Sequence, residues 1–510
     1  MTVGFALPGT HGGLFQSWNG GQSNLEEEVF FHDWFKDSEW SDERPLVLNK
    51  DGGLMCFFSM EGLDPEPLGQ GEYNAAAAAV RRAMDLFQLE SIDSAFAGGT
   101  WVIQNYLERV RTKVPPLAPL ERESRALEFL RAATDRHWSG RPLFDDRITW
   151  VVQFHPAVKS EVERWKARVP DYYREFAREW LEAQAAMVRR QCSMFDNALT
   201  AFSTDRPKQG FGIQWMGREE VRRFLWRQVN RREDDPPPEH PYLSLAGDLC
   251  LSSRSNKDRY QRVNDQFIAV LTFKNPPCLS KGNMMACFQE HLNFPYTLVH
   301  TWAPFDPLAK KKEIDKNKGP AATLRTRSRV VAEWDAEAEE FIGALQVDVA
   351  TPFHWKFSAI VTAPGDELKV FEDRVAKFYT WLKTFAGAEP LVEGKTLRDL
   401  AEISSLPGSG FMNKRQNIIT ALNCGDLAFT FRASTGIQPA HLVFGTRRSG
   451  YYGYNLFDPR LPSWNSAVLG LPGSGKSVLM NMEAMGLAGY PTTLAGSPPR
   501  GNSGIIGGSL

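Results

Sequence analysis

Apolar residues along this chain recur at two spacings, every second position and every third or fourth, and the alternation between them sets the expected elements. Leu46-Val47-Leu48 and the run from Leu54 to Met60 read as two strands, with Asp51-Gly52-Gly53 between them. Aspartate and glycine accept the positive φ of a tight turn, so the pair is expected to form a β-hairpin. An alanine-rich helix follows over Asn74 to Phe87, then a strand over Thr100 to Arg109. Pro115, Pro116 and Pro119 break the pattern. A short helix at Glu121 to Ala132 and a β-branched, aromatic strand at Ile148 to Phe154 come next. Beyond Pro170, the residues Tyr172, Phe176, Trp180, Ala183 and Met187 keep three-four spacing, one apolar face of a long helix.

A second helix is expected over about Arg218 to Asn230, ending before the Asp-Asp-Pro-Pro-Pro linker at 234–238. A lysine-rich break runs from Lys310 to Lys318. Phe353 to Pro364 reads as a strand, Pro364-Gly365 turns the chain, and Asp366 is placed to cap the next helix through its carboxylate. In that helix Leu368, Phe371, Val375, Phe378, Leu382 and Phe385 form an apolar stripe, and a short strand follows Gly387. Near the N-terminus, Gly12 to Glu43 is polar and acidic but dotted with Phe30, Phe31, Trp34, Phe35 and Trp40, and reads as an irregular arm or docking segment. No internal repeat is visible. The expected class is α+β through the N-terminal and central regions.

Composition changes this picture little. A chain of 510 residues exceeds one compact core, so roughly two to four domains are expected. With 42% hydrophobic and 24% charged residues and a net charge of −2, no global field draws it to nucleic acid or an anionic membrane. Cys56, Cys192, Cys250, Cys278, Cys287 and Cys424 are scattered without zinc-ligand spacing and read as buried free thiols of a reducing cytosol. Met1 to Gln16 lacks the basic start and apolar core of a secretory signal. No apolar run of about 18 residues predicts a spanning helix. Histidines, including His11, His155, His240, His291 and His300, have no nucleophile-elbow neighbour, and H-E-x-x-H is absent.

The strongest local signal lies near the C-terminus. Ser466-Ala467-Val468-Leu469 is a short apolar strand, Gly470-Leu471-Pro472-Gly473-Ser474-Gly475-Lys476-Ser477 follows, and an apolar helical run continues to Leu487. This is G-x-x-x-x-G-K-S between a strand and a helix, the phosphate-binding loop of nucleotide-binding proteins. Glycines let the backbone curl into a nest of inward amides, and the helix start adds further amides and a positive dipole end. Lys476 would reach the β- and γ-phosphates of ATP, and the Ser477 hydroxyl would ligate Mg²⁺. Val478, Leu479 and Met482 are expected to anchor the helix on a sheet.

With these residues in view, the chain resembles the conjugal-transfer and type IV secretion ATPases grouped as CagE/TrbE/VirB components. The stretch "GYYGYNLFDPRLPSWNSAVLGLPGSGKS" carries the specific likeness. "NKDGGLMCFFSMEGLD", "YQRVNDQFIAVLTFKNPP", "LNFPYTLVHTWAPFDP" and "SSLPGSGFMNKRQNIITALNCGDLAFTF" support it across most of the length. The resemblance implies an oligomeric cytoplasmic ATPase, peripheral at the inner membrane, that engages other secretion subunits and energises pilus assembly and substrate transport.

The likeness departs from the family after Ser477. Only about thirty residues follow, against roughly 150 for a complete P-loop motor. Glu483 is the sole acidic residue beyond Lys476, and it lies in the helical run rather than at a strand end where Mg²⁺ would be held. The glycine-, proline- and serine-rich tail cannot build a core and is expected to be disordered. The expected organisation is an α+β region over 1–135, a central region over 136–435, the start of an incomplete RecA-like α/β domain over 436–488, and a tail over 489–510. A truncated chain of this kind is expected to lack turnover. The alternative function is a non-catalytic docking module that binds channel subunits. Arg218, Arg222, Arg223, Arg227, Arg231 and Arg232 raise nucleic-acid binding as a third reading, beside a plain solvated helix face shared with Glu219 and Glu220.

Overall fold

The computed structural model describes residues 23–24, 29–119, 125–157, 172–204, 209–251, 253–255, 260–282, 284–306, 351–409, 415–455, 458, 471, 473 and 475–487. Gly470, Pro472 and Ser474, the strand expected at 466–469, the break at 310–318 and the tail at 489–510 lie outside them. The architecture is mixed α/β with one large antiparallel sheet and ten α-helices among the described residues. The chain divides into two units. The first comprises Met1–Val110 and Asp146–Arg432, the second Arg111–Asp145 and Ala433–Leu510. The boundary expected at 135/136 falls inside a helix, and strands from both sides of it alternate in the one sheet.

Fourteen strands build that sheet: β1 (Ser23–Asn24), β2 (Phe31–Phe35), β3 (Leu46–Asn49), β4 (Leu54–Met60), β5 (Thr100–Thr112), β6 (Leu143–His155), β7 (Ile213–Trp215), β8 (Ser253–Ser255), β9 (Gln261–Val263), β10 (Gln266–Asn275), β11 (Tyr296–Pro304), β12 (Pro352–Pro364), β13 (Glu389–Val392) and β14 (Asn417–Thr420). The main path runs β1-β8-β9-β10-β12-β11-β5-β6-β4-β3-β2, with β13 on β10, β14 on β12 and β7 on β4. Helices of the first unit are α1 (Gln70–Met84), then α3 (Tyr172–Thr200), α4 (Arg218–Asn230), α5 (Leu245–Leu249), α6 (Cys287–His291), α7 (Leu368–Leu382), α8 (Lys395–Ile403) and α9 (Ala421–Leu427); α2 (Arg125–Ser139) belongs to the second unit.

This order contains a repeat that the sequence does not announce. With α2 of the second unit set aside between β5 and β6, the succession β3-β4-α1-β5-β6-α3-β7-α4 recurs among the described residues as β9-β10-α6-β11-β12-α7-β13-α8. In each half the first long strand pairs with the third, the third with the second, and the two second strands, β5 and β11, meet at the centre of the sheet. Registers repeat as well. Phe58 and Met60 pair with Trp215 and Ile213, as Leu271 and Phe273 pair with Val392 and Pro390. Two residues after each of Trp215 and Val392 stands a glycine in extended conformation, Gly217 or Gly394, at the start of the next helix.

Alternation of side chains divides the core between the two faces of the sheet. Leu54, Cys56, Phe58 and Met60 join Ala79 and Val80 of α1, Val188 and Phe195 of α3, Phe288 of α6 and Phe378 of α7. Met55 and Phe57 join Phe224 and Leu225 of α4, Leu245 of α5 and Ala401 of α8. The first face is strongly aromatic: Trp101, Trp150, Trp302 and Trp355 are fully buried, and Trp150 stacks on Trp302 at 5.8 Å.

Several expectations change. The aromatic arm is not irregular where described: β2 buries Phe31, Trp34 and Phe35 beside β3. In α3 the buried stripe follows Val188, Cys192, Phe195 and Leu199, and Ala183 is exposed. The cap of α7 is Glu367, with no side-chain hydrogen bond, so Asp366 does not serve; Leu368 at its first turn is exposed. Cys56, Cys192 and Cys424 are buried free thiols as expected, but Cys278 is exposed.

The second unit is tied by backbone bonds of its own. The Ala118 amide donates to the Ala440 carbonyl and the Phe144 amide to Ser449. Its hairpin, β15 (Leu442–Gly445) with β16 (Tyr451–Tyr454), is antiparallel, and α10 (Lys476–Leu487) follows.

The run of alanines in α1 has a steric purpose. Helix α9 lies directly against α1. A Cβ at Gly425 would sit 2.2 Å from the Ala77 carbonyl oxygen, so both helices need small residues to approach this closely. Gly425→Ala is therefore expected to destabilise the protein by about 1–3 kcal/mol through overpacking. At Gly394, where nothing lies within 4 Å of an added Cβ, alanine should be tolerated. Urea midpoints of the two variants check the contrast.

Candidate functional site

Helix α10 begins at Lys476, where the phosphate-loop motif places it. Immediately before it, Gly473 has φ +79° and Gly475 φ +85°, and nothing lies within 4 Å of a Cβ built on either. Positive φ at alternate residues turns successive amides toward one side, the backbone geometry of an anion nest. In the first turn the Leu479 amide donates to the Gly475 carbonyl at 3.0 Å. The Ser477 and Val478 amides precede it, at the positive end of the helix. The Lys476 ammonium folds back across the loop and donates to the Leu471 carbonyl at 2.8 Å.

Of the motif residues, Leu471, Gly473, Gly475, Lys476 and Ser477 are described and lie together in this turn. Ser477 is exposed, and its hydroxyl offers a hard oxygen ligand of the kind Mg²⁺ takes. Among the described residues no group of three or more histidine, cysteine, aspartate or glutamate side chains is placed to hold a metal ion. The expected anchoring of α10 is corrected in part: Val478 is 63% exposed, and Met480 is exposed too, while Leu479 is half-buried. The side chain of Met482 lies outside the described residues.

Five of the six arginines around α4 have carboxylate partners. Arg227 bonds Glu108 at 2.9 and 3.1 Å, Arg222 lies buried against Asp248, and Arg218 bonds Glu239 at 2.6 Å. Arg231 faces Glu402 at 3.6 Å, and exposed Arg223 faces Asp235 at the same distance. Local neutralisation of this kind fits internal ion pairing better than a track for phosphates.

Sequence reasoning missed a buried polar row across the sheet. The His155 Nδ1 lies 2.6 Å from Asp51 Oδ2, and its Nε2 lies 3.1 Å from Gln153 Oε1. The Gln153 amide donates to Gln104 at 2.6 Å. Gln104 stands opposite Thr301 in the β5–β11 register, and Thr301 stands opposite Lys356 in the β11–β12 register. Over this row runs the end of α8 and the segment after it. Gln104 donates to the Leu406 carbonyl at 3.4 Å, Tyr106 to Ser405 at 2.8 Å, and Lys356 to Ala401 at 3.3 Å and to the Ser404 hydroxyl. The available signal was a polar residue at alternate positions inside apolar strands, as in Val151-Val152-Gln153-Phe154-His155.

His300, on the opposite face, is a core residue. Trp355 Nε1 donates to its Nδ1 at 2.9 Å, which places the ring proton on Nε2. Burial pushes its pKa down to about 3, so the ring stays neutral.

At the Asp51 end of the row, burial alone would raise the carboxyl. The adjacent His155 ring and the Gly53 amide outweigh it and hold the carboxyl below the usual aspartate range. A folded-state pKa below the unfolded value of about 3.9 contributes stability that is present above that value and lost as pH falls through the lower one. Wild type should therefore lose more stability than Asp51→Asn between about pH 5 and pH 3. Urea titrations of the two proteins at both pH values check this; equal losses would count against the ion pair.

No protein-family model matches the chain, and no curated protein sequence matches it.

Proposed function

We propose that the chain is the ATP-binding component of a type IV secretion or conjugal-transfer system, with the triphosphate held by the loop from Gly470 to Ser477. The observation that carries this reading is the pair of positive-φ glycines, Gly473 and Gly475, placed directly before a helix that opens with Lys476-Ser477. Backbone amides of the loop and helix start receive phosphate oxygens, Lys476 leaves the Leu471 carbonyl for the β- and γ-phosphates, and Ser477 presents its hydroxyl to Mg²⁺. ATP supplies the energy that the intact family spends on pilus assembly and substrate transport. A RecA-like domain around the loop, peripheral attachment at the inner membrane and assembly into a homo-oligomer with other secretion subunits belong to the same reading. Among the described residues no helix is long and apolar enough to cross a membrane.

A second reading, a docking module for channel subunits, is favoured by the size of the sheet unit and by the internal pairing of its buried charges. Nucleic-acid contact through the α4 arginines has less support, because carboxylates already engage them.

In this reading the loop recognises the ligand through its phosphates alone. Mg·ATP and Mg·tripolyphosphate are thus expected to bind weakly and with similar affinity. Loss of a charge-assisted contact worth about 1.5–3 kcal/mol should weaken both about ten- to hundredfold in Lys476→Ala. Equilibrium dialysis on the full chain measures this. Binding that the substitution leaves intact, or none at millimolar ligand, would remove the nucleotide reading and leave docking.

A further inference from the structure

The buried row beneath α8 ends in a lysine. Lys356 is 2% exposed, and its ammonium faces the last turn of α8, donating to the Ala401 carbonyl and to Ser404, the residue that caps the helix. Carbonyls at a helix C-terminus favour a cation, which gives the ammonium a partner but no water. The same buried segment is held by Gln104 and Tyr106, neutral groups that do not titrate near neutral pH. Lys356 alone among these three donors can change charge there.

Its burial is not imposed by the fold. Ser59 pairs with Thr149 in the first half as Thr272 pairs with Ser358 in the second, so two residues earlier Arg147 stands where Lys356 does. Arg147 is exposed. The second half has placed a titratable cation under a helix where the first half leaves an arginine at the surface.

We propose that Lys356 is a proton-operated release for the C-terminal end of α8 and the segment 404–409 that follows it. Protonation puts a desolvated charge under the helix, and local opening relieves it by letting water reach the ammonium; loss of the proton leaves a neutral amine that stays sealed. Burial, opposed by the Glu393 carboxylate, brings the lysine down to about 7, within the range where this exchange operates. Glu393 accepts from Thr272 and from Arg415 at 3.0 Å. Described charged groups on the elements packed over the row include Arg398, Asp399 and Glu402 of α8, Arg231 at the end of α4, and the Arg227–Glu108 and Arg222–Asp248 pairs. In chain order the released segment is followed by β14 and α9, and then by Ala433, where the second unit resumes. The inference is independent of nucleotide binding.

The sign follows from linkage. An opened, hydrated lysine binds its proton up to about pH 10.4, whereas the sealed one gives it up near 7, so sealing strengthens as pH rises between them. Hydrogen exchange on the full chain, corrected for intrinsic rates, should show peptides from 395–409 opening up to about thirty-fold more at about pH 6 than at about pH 8.5. Peptides from β10 and β11 should not share the change. Lys356→Met, which keeps an unbranched side chain one atom shorter and without charge, should lose the pH dependence. Glu393→Gln, which removes the opposing carboxylate, should move the transition to lower pH. Equal opening of wild type at both pH values, or an unchanged transition in Glu393→Gln, would overturn the proposal, and so would a folded Lys356→Met that keeps the wild-type response.

Discussion

The first unit depends on one antiparallel pairing, β5 with β11. Seven residue pairs from Ile103↔Trp302 to Arg109↔Tyr296 join two halves of like topology into a single sheet. Each half alone would end in a long strand with an open row of amides and carbonyls, which is a template for association. Joined, those edges become the centre, and the sheet's ends fall to short strands: β1 with two residues at one side and β2 with five at the other. The bulge between Phe31 and Asp33 and the turn of Asp33 back to the Trp34 and Leu245 amides blunt the β2 end further.

Because the centre is covered by helices on both faces, any polar residue there must find a partner within the protein. The row from Asp51 to Lys356 meets this demand by lateral hydrogen bonding from strand to strand and by upward bonds to the 401–406 segment. Hydrophobic packing alone would hold α8 without regard to register, whereas amides and hydroxyls accept one arrangement. The cost is that two ends of the row carry ionisable groups whose charge is set by their surroundings. At Asp51 the surroundings favour charge, through a histidine and a backbone amide; at Lys356 they disfavour it, through burial that Glu393 only partly offsets. Both ends therefore lose stability as pH falls, in separate ranges: at Asp51 a favoured carboxylate is protonated, and at Lys356 a disfavoured ammonium forms.

Strong local patterns were legible in the sequence. Leu54 to Met60 and Arg218 to Asn230 appear with the boundaries expected, because a glycine turn frames the first and a linker stops the second. The Gly217 amide also donates to the Glu220 carboxylate at 2.9 Å where α4 starts. Strands β10 and β11 were not read as strands, since burial on both faces removes alternation and leaves a plain apolar run. The repeat was hidden for a related reason: what recurs is the facing of side chains, not their identity. Cys56 and Phe57 correspond to Ala269 and Val270, and fifteen residues of α1 stand against five of α6. Only small polar pairs such as Ser59 and Thr272 persist, too few to register as a motif.

The two candidate sites differ in how their chemistry is encoded, and that difference decides what a sequence can reveal. A phosphate nest is made from consecutive backbone amides, so its requirements are glycines at fixed spacing, a lysine and a helix start, all within eight residues. Nothing distant has to be known, and Gly473, Gly475 and Lys476 take up the local conformations their order demands. The buried row is the reverse case. Gln104, Thr301 and Lys356 come from three separate strands, and none is unusual in its own segment; they acquire a function only when the β5–β11–β12 registers align them under α8. A lysine within an apolar strand is, in sequence, indistinguishable from one at a solvent face, as Arg147 at the corresponding place in the other half is. Its meaning is fixed by the helix laid over it, and therefore by contacts made more than forty residues away.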